Sequence, residues 1–157
     1  MTKSQKLFLV LARVSLGWLM FYAGITKVLN PNWSAAGYLN NAKFLSGFYA
    51  WLASPAILPI TNFVNEWGLT LLGTSLILGV GVRLSSKLGA VMMLLYYLPL
   101  GIIHPDANSL IVDEHIIYGF VMLFFAASRA GRVWGIDSWR SNAAFCAKYP
   151  RLRDFIG

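Results

Sequence analysis

The sequence predicts an all-α integral membrane protein, a four-helix bundle with an additional amphipathic interfacial helix between its first and second helices. Three observations lead there. The 157 residues are 57% hydrophobic and 12% charged, against about 25% charged in an ordinary soluble domain. Four apolar stretches approach the roughly 20 residues needed to cross a hydrocarbon core. The basic residues gather at the ends of these stretches rather than along a soluble face, which is the pattern of membrane topology.

The first stretch covers 7–29 and ends at Asn30-Pro31, because the residue before a proline is pushed out of helical geometry. Lys3, Lys6 and Ala23-Gly24 give it a leader-like look. However, the run exceeds the roughly 7–15 residues of a leader's apolar region and contains Arg13, so a retained helix is expected. In 33–60, Ala35, Tyr38, Leu39, Ala42, Leu45, Tyr49 and Leu52 recur at helical spacing among many aromatics. That composition predicts an amphipathic helix lying as a lid in the headgroup layer, with Pro55 and Pro59 separating it from the next helix. The second helix is expected over 62–82. The third covers 87–103 and stops at His104-Pro105. The fourth covers 109–129, with Asn108 or Ser109 as its N-cap. Residues 1–131 thus form one transmembrane domain. Residues 132–157 form a basic tail whose Trp134, Trp139, Arg140, Lys148, Arg151 and Arg153 suit an anionic cytoplasmic leaflet.

Placing the N-terminus inside puts Lys3, Lys6, Arg83, Lys87, Arg129, Arg132, Arg140, Lys148, Arg151 and Arg153 on the cytoplasmic side. Only Lys27 and Lys43 then fall outside, and Arg13 lies within the membrane. The positive-inside rule therefore predicts a multi-pass protein of the cell (inner) membrane with both termini cytoplasmic and the lid facing outward. This topology accounts for the net charge of +7 and argues against a nucleic-acid partner; membrane lipids are the expected surroundings. The single Cys146 excludes a disulfide framework or a CxxC pair. The glycines lack phosphate-loop spacing, so no nucleotide is expected. Two histidines without HxxxH or cysteine company make a metal or haem equally unexpected.

Ionisable groups inside a membrane cost about 2.5–3.5 kcal/mol each on insertion scales, so each needs a partner, an exit or a function. Arg13, Lys27, Glu66, Asp113, Glu114 and His115 are the six to explain. Arg13 and Lys27 share an arc of the first helix with Gly17 and Gly24, and that arc should face its neighbours. On the second helix Asn62, Glu66, Thr70 and Gly73 share a face. His115, Tyr118, Gly119 and Met122 form a stripe on the fourth, and Met93, Tyr96, Tyr97 and His104 one on the third. Alternating helix directions put Lys27, Glu66, Asp113, Glu114, His115 and His104 in one layer within about two turns of the outer boundary. Arg13 lies deeper, expected to snorkel inward or bond groups on the second and third helices. Asp113 points nearly opposite the His115 stripe and suits the headgroup layer or the N-terminal turn. Two readings stand side by side. The layer is either a polar pocket that exchanges protons with a bound redox molecule, or a set of interhelical pairs such as Glu66–Lys27 and Glu114 with His115 or Tyr97.

The stretches ARVSLGWLMFYAGITKVLNPNWSAAGYL, NEWGLTLLG, MLLYYL, IVDEHIIYG and AGRVWGID resemble the DoxX family of small four-helix membrane proteins, over residues 7 to about 140. The resemblance implies a quinone-linked role, since relatives are described as subunits of thiosulfate:quinone oxidoreductase or of a terminal quinol oxidase. It also implies that Arg13, Lys27, Glu66, Asp113, Glu114 and His115 line the quinone or substrate site. Three acids in the outer layer oppose direct binding of the thiosulfate dianion.

The leading expectation is an oxidoreductase subunit binding a quinone or quinol in the outer half of the bundle. Glu114 and His115 would handle protons, Arg13 and Lys27 set the electrostatics, and Tyr97 and Tyr118 position the ring, alongside Glu66 and Asp113. A second oxidoreductase subunit or another copy of the chain is the expected partner. The rival is a non-catalytic module that assembles with a redox enzyme or binds lipid. A small-ion transporter is disfavoured because the deeper half offers little besides Arg13 to continue a polar path.

Overall fold

The computed structural model describes residues 1–103 and 110–140. Within them the regular elements are helices, and no strand is formed among the described residues. Helix α1 spans Lys3–Val28, starting four residues ahead of the apolar run. Thr2 accounts for this: its Oγ1 accepts from Gln5 N–H at 3.2 Å while Gln5 Oε1 accepts from Thr2 N–H at 2.8 Å, a reciprocal capping box.

The lid is two short helices, α2 (Ala36–Asn40) and α3 (Ser46–Leu52), rather than the single interfacial helix expected over 33–60. Leu45 ahead of α3 has a φ of 52°, a left-handed conformation that a continuous helix does not contain. Helix α4 covers Leu58–Leu78, one turn earlier than 62–82. Pro59 sits in its first turn, where a missing N–H costs nothing, so this proline starts the helix instead of holding it off. Gly79 ends it at φ 70°.

Helix α5 covers Val82–Tyr97 instead of 87–103. Its first turn is capped from far along the chain: Asp137 accepts from Gly81 N–H at 2.8 Å and from Val82 N–H at 3.1 Å. Its end is set by Pro99, which lies in a 3-10 turn over Leu98–Leu100, and not by His104-Pro105, which is outside the described residues. Helix α6 covers Glu114–Ala127, five residues later than the expected start, with Asp113 as N-cap accepting from Ile116 N–H at 3.2 Å. The expected cap at Asn108 or Ser109 lies outside the described residues. A 3-10 turn over Ala130–Arg132 and helix α7 (Ile136–Arg140) follow.

Helices α1, α4, α5 and α6 share one core containing Leu16, Met20, Leu72, Leu76, Met93, Met122 and Phe125, with α1 against α4, α4 against α5 and α5 against α6. Small residues set the spacing. A Cβ on Gly24 would collide with the backbone at Thr70, one on Gly73 with the backbone of Phe21, and one on Gly89 with Met122 and Leu72. Large apolar side chains remain exposed on the outer faces, among them Phe8, Trp18, Phe63, Leu71, Leu88 and Phe120. Helix α1 is long and apolar enough to cross a membrane by length and composition.

At the end opposite the lid, Arg13 is 1% exposed. Along α1 it lies about 21 Å of rise from Lys27. Its Nη1 donates to Ala130 O at 2.5 Å and to Val133 O at 3.1 Å. These carbonyls belong to the turn after α6 and not to the second and third helices. Gly79 and Gly135 pack against the guanidinium, and Asp137 N–H donates to Gly79 O at 2.9 Å.

Two consequences are measurable by thermal unfolding in detergent. Gly73→Ala should cost about 1–3 kcal/mol through overpacking at Phe21, while Gly37→Ala, with open space around it, leaves the melting temperature unchanged or slightly raised. Asp137→Ala should cost about 1–3 kcal/mol, because two N–H groups at the start of α5 lose their acceptor. A melting temperature equal to the parent's would show that the cap contributes nothing.

Candidate functional site

Pro99 prepares the lid end of the molecule. A helix continuing through position 99 would use the Leu95 carbonyl, and proline has no N–H to give it. Tyr49 of α3 takes that acceptor instead, its hydroxyl donating to Leu95 O at 3.0 Å. Tyr38 of α2 donates to the next carbonyl, Tyr96 O, and Lys43 N–H donates to Pro99 O at 2.8 Å. The lid is thereby fastened to the loosened end of α5. Burial, with smaller effects of Tyr49 and Asp113, pushes the Tyr38 hydroxyl up to about 12. It remains a neutral donor at ordinary pH. Burial also raises Tyr49.

Beneath the lid lies a cavity of about 600 Å³, bounded by α1, α4, α5 and the lid, with a mostly apolar wall. Lys27 is the one charged residue lining it among the described residues. Its Nζ donates to Asn65 Oδ1 at 2.8 Å and to the Tyr96 hydroxyl at 3.4 Å. It also stands 4.8 Å from the Trp33 ring centroid and 5.6 Å from that of Tyr96, within cation–π reach.

A second cavity, about 270 Å³, adjoins the first. Lys27 and Tyr96 line both, so they form the partition between them. On its far side stand Glu114, His115 and Tyr118 of α6. The His115 ring lies 5.6 Å from the Tyr96 ring, and its Nδ1 is 2.7 Å from Asp113 Oδ2. Asp113 stands one residue ahead of α6. Burial raises its carboxyl, but the hydrogen bonds from His115 and from Ile116 N–H outweigh this, so it lies below the usual carboxylate value. An acid that holds one imidazole nitrogen orients the ring.

The structure brings Lys27, Glu114, His115 and Tyr118 to this paired cavity, with Asp113 behind His115. Three other candidates are elsewhere. Arg13 lines neither cavity and closes the opposite end of the molecule. Tyr97 is buried, its hydroxyl 2.8 Å from Ile111 O and 3.2 Å from Ile102 O, so it ties the ends of the α5–α6 connection instead of facing a ring site. Glu66 lines neither cavity and forms no ion pair with Lys27; Asn65 takes that place. The Glu66 face of α4 turns towards α1, where Gly24 packs beside the Glu66 carbonyl. Thr61, Val64 and Asn65, at helical spacing, form the face that meets the cavity. A search confined to ionisable residues passes over the neutral Asn65 and Trp33. The i, i+3, i+4 pattern of 61, 64 and 65 was the available signal. His104 lies outside the described residues, and among those described no group of three metal-binding side chains occurs.

The depressed Asp113 value has a testable sign. Its contribution to stability is complete above the unfolded value of about 3.9 and is lost as pH falls through the lower folded value. Asp113→Asn should therefore melt lower than the parent at neutral pH, by about 1 kcal/mol for a weakened cap. The difference should close as both are titrated below pH about 4. A difference that persists unchanged into acid would exclude this origin.

The DoxX family model matches residues 8–101, from α1 through the turn that ends α5. No curated protein and no solved structure matches the chain. The matched span holds every residue lining the larger cavity, Lys27 through Tyr96, and stops short of Asp113, Glu114 and His115. It covers more than half of the chain, and the chain therefore belongs to the DoxX family of membrane proteins.

Proposed function

We propose that the protein binds a quinone or quinol in the cavity beneath the lid and works as the membrane subunit of a quinone-linked oxidoreductase. In this reading α1, α4, α5 and α6 form a four-helix transmembrane bundle in the cell membrane. Both termini are cytoplasmic and the lid lies at the outer interface. The excess of Lys and Arg at one end and the exposed apolar faces support that placement. The shorter α6 reaches across with the turns that flank it.

The observation that carries the proposal is the partition. An apolar cavity of about 600 Å³ has the size and lining of a site for a lipophilic ring compound. Its polar end, made by Lys27, Asn65 and Tyr96, is also the wall of a smaller cavity that holds Glu114 and His115. Lys27 and Asn65 supply donors for a ring carbonyl. Tyr38, Tyr49 and Trp33 cover the ring and exclude water. The Asp113–His115 pair stands beyond Tyr96 as the group that takes up or returns a proton. Quinol oxidation releases two electrons and two protons, and the electrons pass to a redox partner subunit.

Melting temperature in detergent with a short-chain benzoquinone analogue tests this. The parent should rise by several degrees, and Met92→Trp, which fills the cavity from α5, should melt without responding. His115→Ala should keep the shift, because His115 does not line that cavity, and lose quinone-linked turnover by about 10²-fold or more. Absence of a shift in the parent, with a redox subunit co-purifying, would instead support a non-catalytic assembly module.

A further inference from the structure

We infer that the lid cavity is selective for a lipophilic monoanion, an apolar body ending in one negative charge that pairs with Lys27. This rests on the reading of that cavity as a ligand site. It goes beyond it in the charge of the ligand.

The argument begins with what surrounds the ammonium. Lys27 has three N–H donors. Its hydrogen-bond partners are an amide oxygen and a phenol hydroxyl, and its nearest π partners are Trp33 and Tyr96. All four are neutral. Among the described residues no carboxylate lies within ion-pair distance of Lys27. Glu66 acts on Lys27 only through space, and Glu114 lies across the partition in the other cavity. A cation in apolar surroundings is stabilised most by a directly paired anion. The remaining donor of Lys27 and the aromatic faces beside it form a receptor for a single charged oxygen group. The rest of the wall is mostly hydrocarbon and suits an apolar body. A neutral ring satisfies the donors but leaves the charge unmatched.

Two sources supply this chemistry, a carboxylate on an alkyl chain and the ionised hydroxyl of a hydroxyquinone. The test is a binding series on the full-length protein in detergent micelles, read by melting temperature. It compares dodecanoate with methyl dodecanoate, and a hydroxynaphthoquinone ionised at neutral pH with its unsubstituted naphthoquinone. The proposal expects at least one anion to bind about tenfold or more tightly than its neutral twin. That preference should disappear in Lys27→Gln, and the anion that succeeds identifies the source. Equal shifts within both pairs, or a preference that survives in Lys27→Gln, would overturn it. If Lys27→Gln fails to fold, the two pairs measured on the parent still decide. Neutral quinone binding without any anion preference sinks this inference and leaves the quinone reading standing. An anion preference confined to dodecanoate, with neither quinone bound, does the reverse.

Discussion

Arg13 places a guanidinium inside an apolar helix with 1% of its surface exposed, and one whole end of the molecule is organised to satisfy it. Two carbonyls of the turn after α6 accept from its Nη1. The turn must therefore fold back over α1, and glycines at 79 and 135 let the two backbones approach it. The same fold-back brings Asp137 to the exposed N–H groups at the start of α5. A cation on the first helix is thus joined, through one short loop, to the last helix and to the start of the third. Breaking it leaves a buried charge and uncapped donors together, the costly kind of loss.

The opposite end is governed by an omission rather than a charge. Pro99 removes the N–H that would bond Leu95 O, and the hydroxyls of two lid tyrosines take the Leu95 and Tyr96 carbonyls at the end of α5. The lid is held by hydrogen bonds to main chain, and its own small core of Ala35, Leu39 and Tyr49 packs under Trp33 and Leu52. Between this lid and the helices is the larger cavity. Rigid helices supply its walls, and a separately packed segment supplies its cover.

The two ends divide the work that the ionisable residues do. Arg13 and Asp137, at the end away from the lid, serve packing, each with backbone partners. Lys27, Glu114 and His115 face open space. The Lys27–Tyr96 partition lies between an apolar chamber and a more polar one; in the proposed function the first holds the ring and the second its protons. The family match includes that partition and the larger chamber but ends before the α6 residues.

Composition, apolar runs and the spread of Lys and Arg determine by themselves that this chain is helical and built for a membrane, because lipid leaves the backbone few alternatives. Helical periodicity also carried the small-residue face of α1 and the polar layer holding Lys27, Glu114 and His115, since these need only the 3.6-residue repeat. The tertiary structure decided what depends on contacts far apart in the chain. Asp137 starts α5 from 55 residues away, and Arg13 reaches carbonyls more than 115 residues on; neither leaves a local signature. Pro99 is visible in the sequence, but only the docked lid shows that the Leu95 carbonyl it releases has a taker. The choice of Asn65 over Glu66 as the partner of Lys27 depends on a rotation of α4 by a single residue, about 100°. Packing against Gly24 sets that rotation.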